Sequence, residues 1–107
     1  MANFHNKIFI STTNKDKGDR TSETTFYFKQ NKNIVKATYN GRNIVYGELI
    51  GMFNDQGVLN AAFNQLNAAS QFVGGTCILR PMERTLRGVW TYVGENTVEK
   101  ELILEEL

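Results

Sequence analysis

The segment 34–53, IVKATYNGRNIVYGELIGMF, decides the fold because two runs of strand-like residues flank a turn signal. Apolar side chains occupy every second position from Val35 to Tyr39, which is the alternation of a half-buried strand. The dipeptide Asn40-Gly41 tolerates the positive φ that a tight hairpin turn requires. The segment therefore predicts a β-hairpin with one apolar face.

The length of the loop in this hairpin decides which side chains share that face. A two-residue loop would put Tyr39 on the same face as Glu48, and one residue of slip would exchange the faces. A three-residue loop that includes Arg42 leaves Lys36 and Glu48 in water, and burying an unpaired carboxylate costs several kcal/mol. We therefore favour the longer loop. Its face carries Tyr39, Ala37 and Val35 with Val45, Gly47, Leu49 and Phe53.

Outward from this hairpin, turn signals recur about every ten residues, which indicates an all-β protein. Pro81 is interpreted as one of these breaks, because proline removes a backbone donor. No alternation of strands and helices is visible, which disfavours a parallel α/β sheet. The fold predicted for residues 1–107 is one antiparallel up-and-down meander of about eight strands, forming a closed or partly open barrel. The predicted strands are Lys7–Thr13, Thr24–Lys29, Ile34–Tyr39, Asn43–Phe53, Val58–Leu66, Gln71–Arg80, Thr85–Val93 and Val98–Leu104.

Two segments have an alternative interpretation. In Val58–Ala69, apolar residues also recur at helical spacing, with Asp55 as a candidate N-cap, but we favour a hairpin that turns at Asn67–Ser70. The tail Val98–Leu104 contains good helix formers, yet its apolar residues alternate with glutamates as in a strand.

Composition excludes several classes of function. The chain has 107 residues, 12 Lys and Arg against 11 Asp and Glu, one cysteine and one histidine. The net charge of +1 gives no support to nucleic-acid binding, and a single Cys with a single His gives no zinc site and no internal disulfide. No signal peptide or membrane span is visible, so a cytoplasmic protein without cofactor or metal is expected.

Several short motifs give the chain a family resemblance. They are Ser22-Glu23-Thr24, Phe26-x-Phe28-x-Gln30, Ala37-x-Tyr39-x-Gly41-x-x-Ile44-x-x-Gly47-x-Leu49-x-Gly51, Gly75-Thr76-Cys77, Trp90-x-Tyr92-x-Gly94-Glu95 and a closing Glu105-Glu106. In this order they resemble a family of small bacterial proteins of uncharacterised function, often labelled N-acetylglutamate synthase. The resemblance implies a compact antiparallel meander that closes like lipocalin- or avidin-type barrels.

The enzyme label is not supported by the residues. Acetyl-CoA needs a cradle of backbone N–H groups for its pyrophosphate, usually at a helix N-terminus. Gly74-Gly75 lies inside a strand-like run and opens no helix. We therefore expect no catalysis, and acyl transfer of the N-acetylglutamate synthase type is kept as an alternative function.

A small set of inward-facing residues is the candidate ligand site. Trp90 and Tyr92 share one strand face, as do Phe63 and Gln65, and Tyr39 lies on the apolar face of its hairpin. In a closed barrel of eight strands, such side chains fill the interior or hold one small ligand. Gly47, Gly51, Gly75 and Gly88 fit both interpretations, since they leave room for a ligand or relieve crowding.

Other chemistry-bearing residues have simpler interpretations. His5 is interpreted as a surface residue and Cys77 as a buried, unreactive thiol. The carboxylates Glu99, Glu101, Glu105 and Glu106 are interpreted as a solvated face, and the aromatic and basic side chains of Phe26–Arg42 as an amphipathic sheet with outward lysines. The function predicted is binding of a small apolar or aromatic ligand. A protein-interaction module is a further alternative, and a homo-oligomer is compatible with either.

Overall fold

The computed structural model describes residues 3–11, 24–41, 43–94 and 98–107. These residues form eight antiparallel strands in a closed barrel, in which each strand pairs with its neighbours in sequence and β1 pairs with β8. The structure therefore confirms the all-β meander barrel. The strands are β1 Ile8–Ser11, β2 Thr24–Asn31, β3 Ile34–Gly41, β4 Ile44–Phe53, β5 Leu59–Asn67, β6 Phe72–Met82, β7 Thr85–Val93 and β8 Val98–Glu106. Among the residues described, no helix is long and apolar enough to span a bilayer.

The pairing of β3 with β4 confirms most of the apolar face predicted for this hairpin. Tyr39 lies opposite Gly47 and Ala37 opposite Leu49, and Lys36 and Glu48 are exposed. Val45 does not belong to this face: its side chain is exposed because the register between β4 and β5 shifts between Ile44 and Tyr46. The irregularity turns Val45 outward and leaves Ile44 packed against the core.

The tight turn predicted at Asn40-Gly41 is wrong. Both residues belong to β3, where Asn40 pairs with Thr25 and Gly41 with Thr24. Pairing with β2 therefore extends β3 beyond the point at which its pairing with β4 stops. β3 ends at Gly41 and β4 begins at Ile44, and Arg42 lies outside the described residues.

The break predicted at Pro81 is also wrong, because β6 continues to Met82 and the chain turns at Glu83 and Arg84. Proline is tolerated here because the pairing of β6 with β5 ends at Leu79, whereas Pro81 pairs only with Leu86 of β7. One edge of the strand therefore needs no N–H donor at this position.

The segment Val58–Ala69 is a strand and a turn, which confirms the predicted hairpin over the helix. The side chain of Asn67 stabilises the turn because its Oδ1 accepts hydrogen bonds from the backbone N–H groups of Ala69 and Gln71, both at 3.0 Å. Ser70 adopts a positive φ of 63° in this turn.

One end of the barrel is closed by phenylalanine side chains, and we call it the Phe4 end (Phe4, Phe9, Phe28 and Phe53). The ring centroid of Phe4 lies 5.5 Å from those of both Phe9 and Phe53, and Phe9 lies 5.3 Å from Phe28. The backbone N–H of Phe4 donates to Gln30 Oε1 at 2.8 Å and fixes the N-terminal segment across this end. Phe4 is therefore part of the core, although it lies near the N-terminus, where chains usually fray.

Candidate ligand-binding site

The opposite end of the interior brings together all five residues predicted to bind a ligand, and we call it the Trp90 end (Tyr39, Phe63, Gln65, Trp90 and Tyr92). Each residue is on the inner face of β3, β5 or β7, because inward positions alternate along each strand. Tyr39, Phe63, Gln65 and Trp90 are buried, and Tyr92 is partly buried against the core. The strand alternation read from the sequence thus located the residues, whereas their role is a separate question.

Aromatic rings pack closely around Trp90. Its indole stacks on Phe63 with 3.9 Å between ring centroids and meets Tyr39 edge to face at 5.8 Å. Tyr92 completes the group at 5.5 Å from Phe63. Phe26, which the sequence analysis placed only in an amphipathic stretch, stacks on Tyr39 at 4.6 Å. The alternation of Phe26 and Phe28 around the exposed Tyr27 was the signal for its inward position.

A buried hydrogen bond joins two of the site residues. The Tyr39 hydroxyl donates to Gln65 Oε1 at 2.9 Å, and both residues are buried. Burial raises the pKa of Tyr39, and the neighbouring Tyr92 and Cys77 raise it further. The phenol therefore stays protonated at neutral pH and remains a donor to Gln65.

The indole N–H of Trp90 is different, because within the described residues Trp90 Nε1 has no hydrogen-bond partner. Only 5% of the residue is exposed, so solvent cannot replace a missing acceptor. Burial raises the pKa of Tyr92, and the neighbouring Trp90 side chain offsets part of that rise, although the indole N–H and the Tyr92 hydroxyl do not reach hydrogen-bond geometry. Leaving a buried donor unsatisfied costs about 1–3 kcal/mol.

Two glycines make room for the rings rather than for open space. A Cβ on Gly47 would overlap the Tyr39 ring, and one on Gly75 would overlap the backbone oxygen of Thr91 and lie 2.9 Å from the Phe63 ring. At Gly51 and Gly88 the neighbouring backbone occupies the corresponding space. The glycines therefore relieve crowding, which leaves the interior walls fixed by aromatic side chains.

Lys100 is a residue of this end that the sequence analysis did not select. It lies on β8 directly opposite Trp90, at the same alternation as the inward Leu102 and Leu104. Its exposed ammonium lies 5.8 Å from the centroid of the Tyr92 ring. Among the described residues, no carboxylate lies within ion-pair distance of it. The alternation of Lys100 with Leu102 and Leu104 along β8 was the sequence signal for its inward position.

The other candidate residues are an exposed histidine, a buried thiol and a group of carboxylates. His5 is exposed, as predicted, and its Nδ1 accepts from the backbone N–H of Gln30 at 3.0 Å. Cys77 is a buried free thiol, also as predicted, and burial raises its pKa to about 12. Glu99, Glu101 and Glu105 are exposed, and the described residues contain no group of three or more His, Cys, Asp or Glu side chains placed to hold a metal ion.

Comparison with protein families matches residues 2–107 to the family described as Avidin-like protein, and the chain belongs to this family. Searches of curated proteins and of solved structures gave no match. The family agrees with the avidin-type barrel that the sequence motifs implied. It does not address the N-acetylglutamate synthase label or the bacterial source, which remain predictions.

Proposed function

We propose that this protein binds a small apolar or aromatic molecule at the Trp90 end of its barrel. The observation that carries the proposal is the buried N–H of Trp90, which has no acceptor in the described part of the chain although rings surround it. Buried polar groups in folded proteins are nearly always hydrogen-bonded, so a buried indole N–H without an acceptor marks a position at which a ligand can supply one.

The arrangement also provides what an aromatic ligand needs. Aromatic pairs prefer offset-stacked or edge-to-face packing, and Phe63, Trp90 and Tyr92 already meet each other in these ways. The buried Tyr39–Gln65 hydrogen bond holds one wall in place, so little ordering of this wall is needed when a ligand binds. Membership of the Avidin-like family supports a small ligand rather than a macromolecule.

Because Trp90 is the only tryptophan in the chain, its indole N–H gives one signal in a proton–nitrogen correlation spectrum. We propose titrating the protein with aromatic compounds of phenyl and naphthyl size while following this signal and the heat of binding. The expected result is a saturable shift of the indole signal. The variant Trp90→Phe keeps a ring but removes the donor, and it should bind more weakly.

Phe72 provides the matched control, because it is an aromatic residue on the outer face with 77% of its surface exposed. Phe72→Ala should leave the affinity unchanged. If the aromatic compounds bind Trp90→Phe as well as the parent but lose affinity for Phe72→Ala, they bind outside the barrel and the proposal is wrong.

A further inference from the structure

We propose that the ligand of the Trp90 end is a small organic carboxylate, whose oxygens accept from Trp90 Nε1 and whose charge is balanced by Lys100. This inference rests on the proposed function and specifies the chemical class of the ligand. It depends on the unsatisfied donor, the position of Lys100 and the absence of an anion near it in the described chain.

Trp90 and Lys100 both offer hydrogen-bond donors to a ligand. An indole N–H only donates, and a lysine ammonium has three donors and no acceptor. An ionised carboxylate only accepts, so it complements both groups without bringing a donor that needs its own partner. A neutral amide would bring an N–H₂ group into the same place. The site therefore discriminates by the type of hydrogen-bonding group as well as by charge.

The position of Lys100 relative to Trp90 allows both side chains to contact one ligand. Trp90 and Lys100 are directly opposite residues of the antiparallel strands β7 and β8. Such pairs have Cβ atoms about 4.5–5.5 Å apart, so two side chains on the same face can approach one carboxylate. The Tyr92 ring lies beside the ammonium, and Phe63 stacks on the indole. An aromatic or apolar body attached to the carboxylate would contact these rings.

Lys100 differs from the charged side chains at the Phe4 end. There Glu106 lies 3.5 Å from Lys7 and 4.0 Å from Arg84, so the carboxylate already has cationic partners. Within the described part of the chain, the partner of the Lys100 ammonium is the Tyr92 ring and not a carboxylate. One unbalanced cation suits a ligand with a single negative charge, which favours a carboxylate over a phosphate dianion.

The test uses three compounds of the same shape and different charge, namely naphthoate, naphthamide and naphthylmethylamine, titrated calorimetrically and by the Trp90 indole signal. We expect naphthoate to bind about fivefold more tightly than naphthamide, the ratio for a partly exposed ion pair of about 1 kcal/mol. The indole proton should shift downfield with naphthoate, and high salt should reduce the preference because exposed charges are screened.

Lys100→Met keeps the apolar stem and removes the charge, so it should abolish the preference for naphthoate. Lys36→Met is the control, since Lys36 is exposed on the outer face of β3 and should keep the preference. Thermal melts check that both variants are folded.

The outcomes separate the two proposals. Binding of naphthamide or naphthylmethylamine at least as tightly as naphthoate overturns the carboxylate and leaves the ligand site standing. If Lys100→Met keeps the full preference for naphthoate, the carboxylate inference is likewise wrong and the ligand site still stands. If none of the three compounds binds the parent protein, the proposed function fails, and the carboxylate inference fails with it.

Discussion

The two ends of the barrel are both built from aromatic side chains, but they differ in their polar groups. At the Phe4 end, four phenylalanine rings contact one another, and phenylalanine has no hydrogen-bonding group to satisfy. At the Trp90 end, tyrosine, tryptophan and glutamine side chains place polar atoms in the interior, and one of these, Trp90 Nε1, has no partner in the described chain.

The two ends therefore contribute differently to the free energy of folding. The rings at the Phe4 end bury apolar surface without burying any polar side-chain group. Burial of apolar surface is the main source of folding free energy. Burial of the polar groups at the Trp90 end is unfavourable, and only hydrogen bonds to these groups offset that free energy. The unfavourable polar burial is therefore concentrated at the Trp90 end, where the proposed ligand would supply an acceptor.

The largest effect that tests this contrast is expected at the Phe4 end. Phe28 is 1% exposed and its ring contacts those of Phe4 and Phe9. Phe28→Ala should lower the free energy of unfolding by about 3–5 kcal/mol, because it removes a buried ring and leaves a cavity. Urea denaturation measures this loss.

Tyr27 is the neighbouring control, since it points outward and is 44% exposed. Tyr27→Ala should change the free energy of unfolding by less than about 1 kcal/mol, the range of strand propensities. Equal losses for the two variants would mean that the Phe4 end does not anchor the fold.

A smaller effect is expected from the buried hydrogen bond of the Trp90 end. Tyr39→Phe removes the hydroxyl and leaves Gln65 Oε1 without this donor, which should cost about 1–3 kcal/mol in unfolding free energy. Gln65→Leu should cost a similar amount, because it leaves the hydroxyl unpaired.

The double variant distinguishes a hydrogen bond from general packing. With both partners replaced by apolar groups, the loss should be smaller than the sum of the two single losses, since neither polar group is left unpaired. Strict additivity in denaturation experiments would show that the two side chains do not interact.

Most of the correct sequence predictions came from the alternation of inward and outward side chains along single strands. Val35, Ala37 and Tyr39 face inward as expected, and the same rule placed Phe63, Gln65, Trp90 and Tyr92 in one interior. A strand's period of two follows from backbone geometry alone, so a local pattern is enough to recognise it.

Features that depend on a distant strand were missed. Asn40-Gly41 looked like a turn, but Thr24 and Thr25 pair with these residues and keep them in β3. Val45 faces outward because of the irregularity opposite β5, and Phe4 is buried because its N–H donates to Gln30, 26 positions away. The alternation in β8 indicates the inward position of Lys100, but its place opposite Trp90 depends on the pairing of β7 with β8. Such pairings are set by the closed barrel and not by neighbouring residues.

Cys77 is a buried residue between the two ends, and its burial should make the free energy of unfolding depend on pH above pH 9. Its pKa is raised from 9.0 to about 12 by desolvation, so the folded protein keeps the proton that the unfolded chain loses. Below pH 9 both states hold the proton and stability is unaffected. Between pH 9 and pH 12 the unfolded state binds fewer protons, so stability falls as the pH rises.

From about pH 8 to about pH 10, this thiol should lower the free energy of unfolding by about 1 kcal/mol. Cys77→Ala removes that loss and keeps whatever tyrosine ionisation contributes, so urea denaturation at the two pH values should show a smaller decline for the variant than for the parent. An identical decline in both proteins would show that the thiol ionises as easily in the folded barrel as in the unfolded chain.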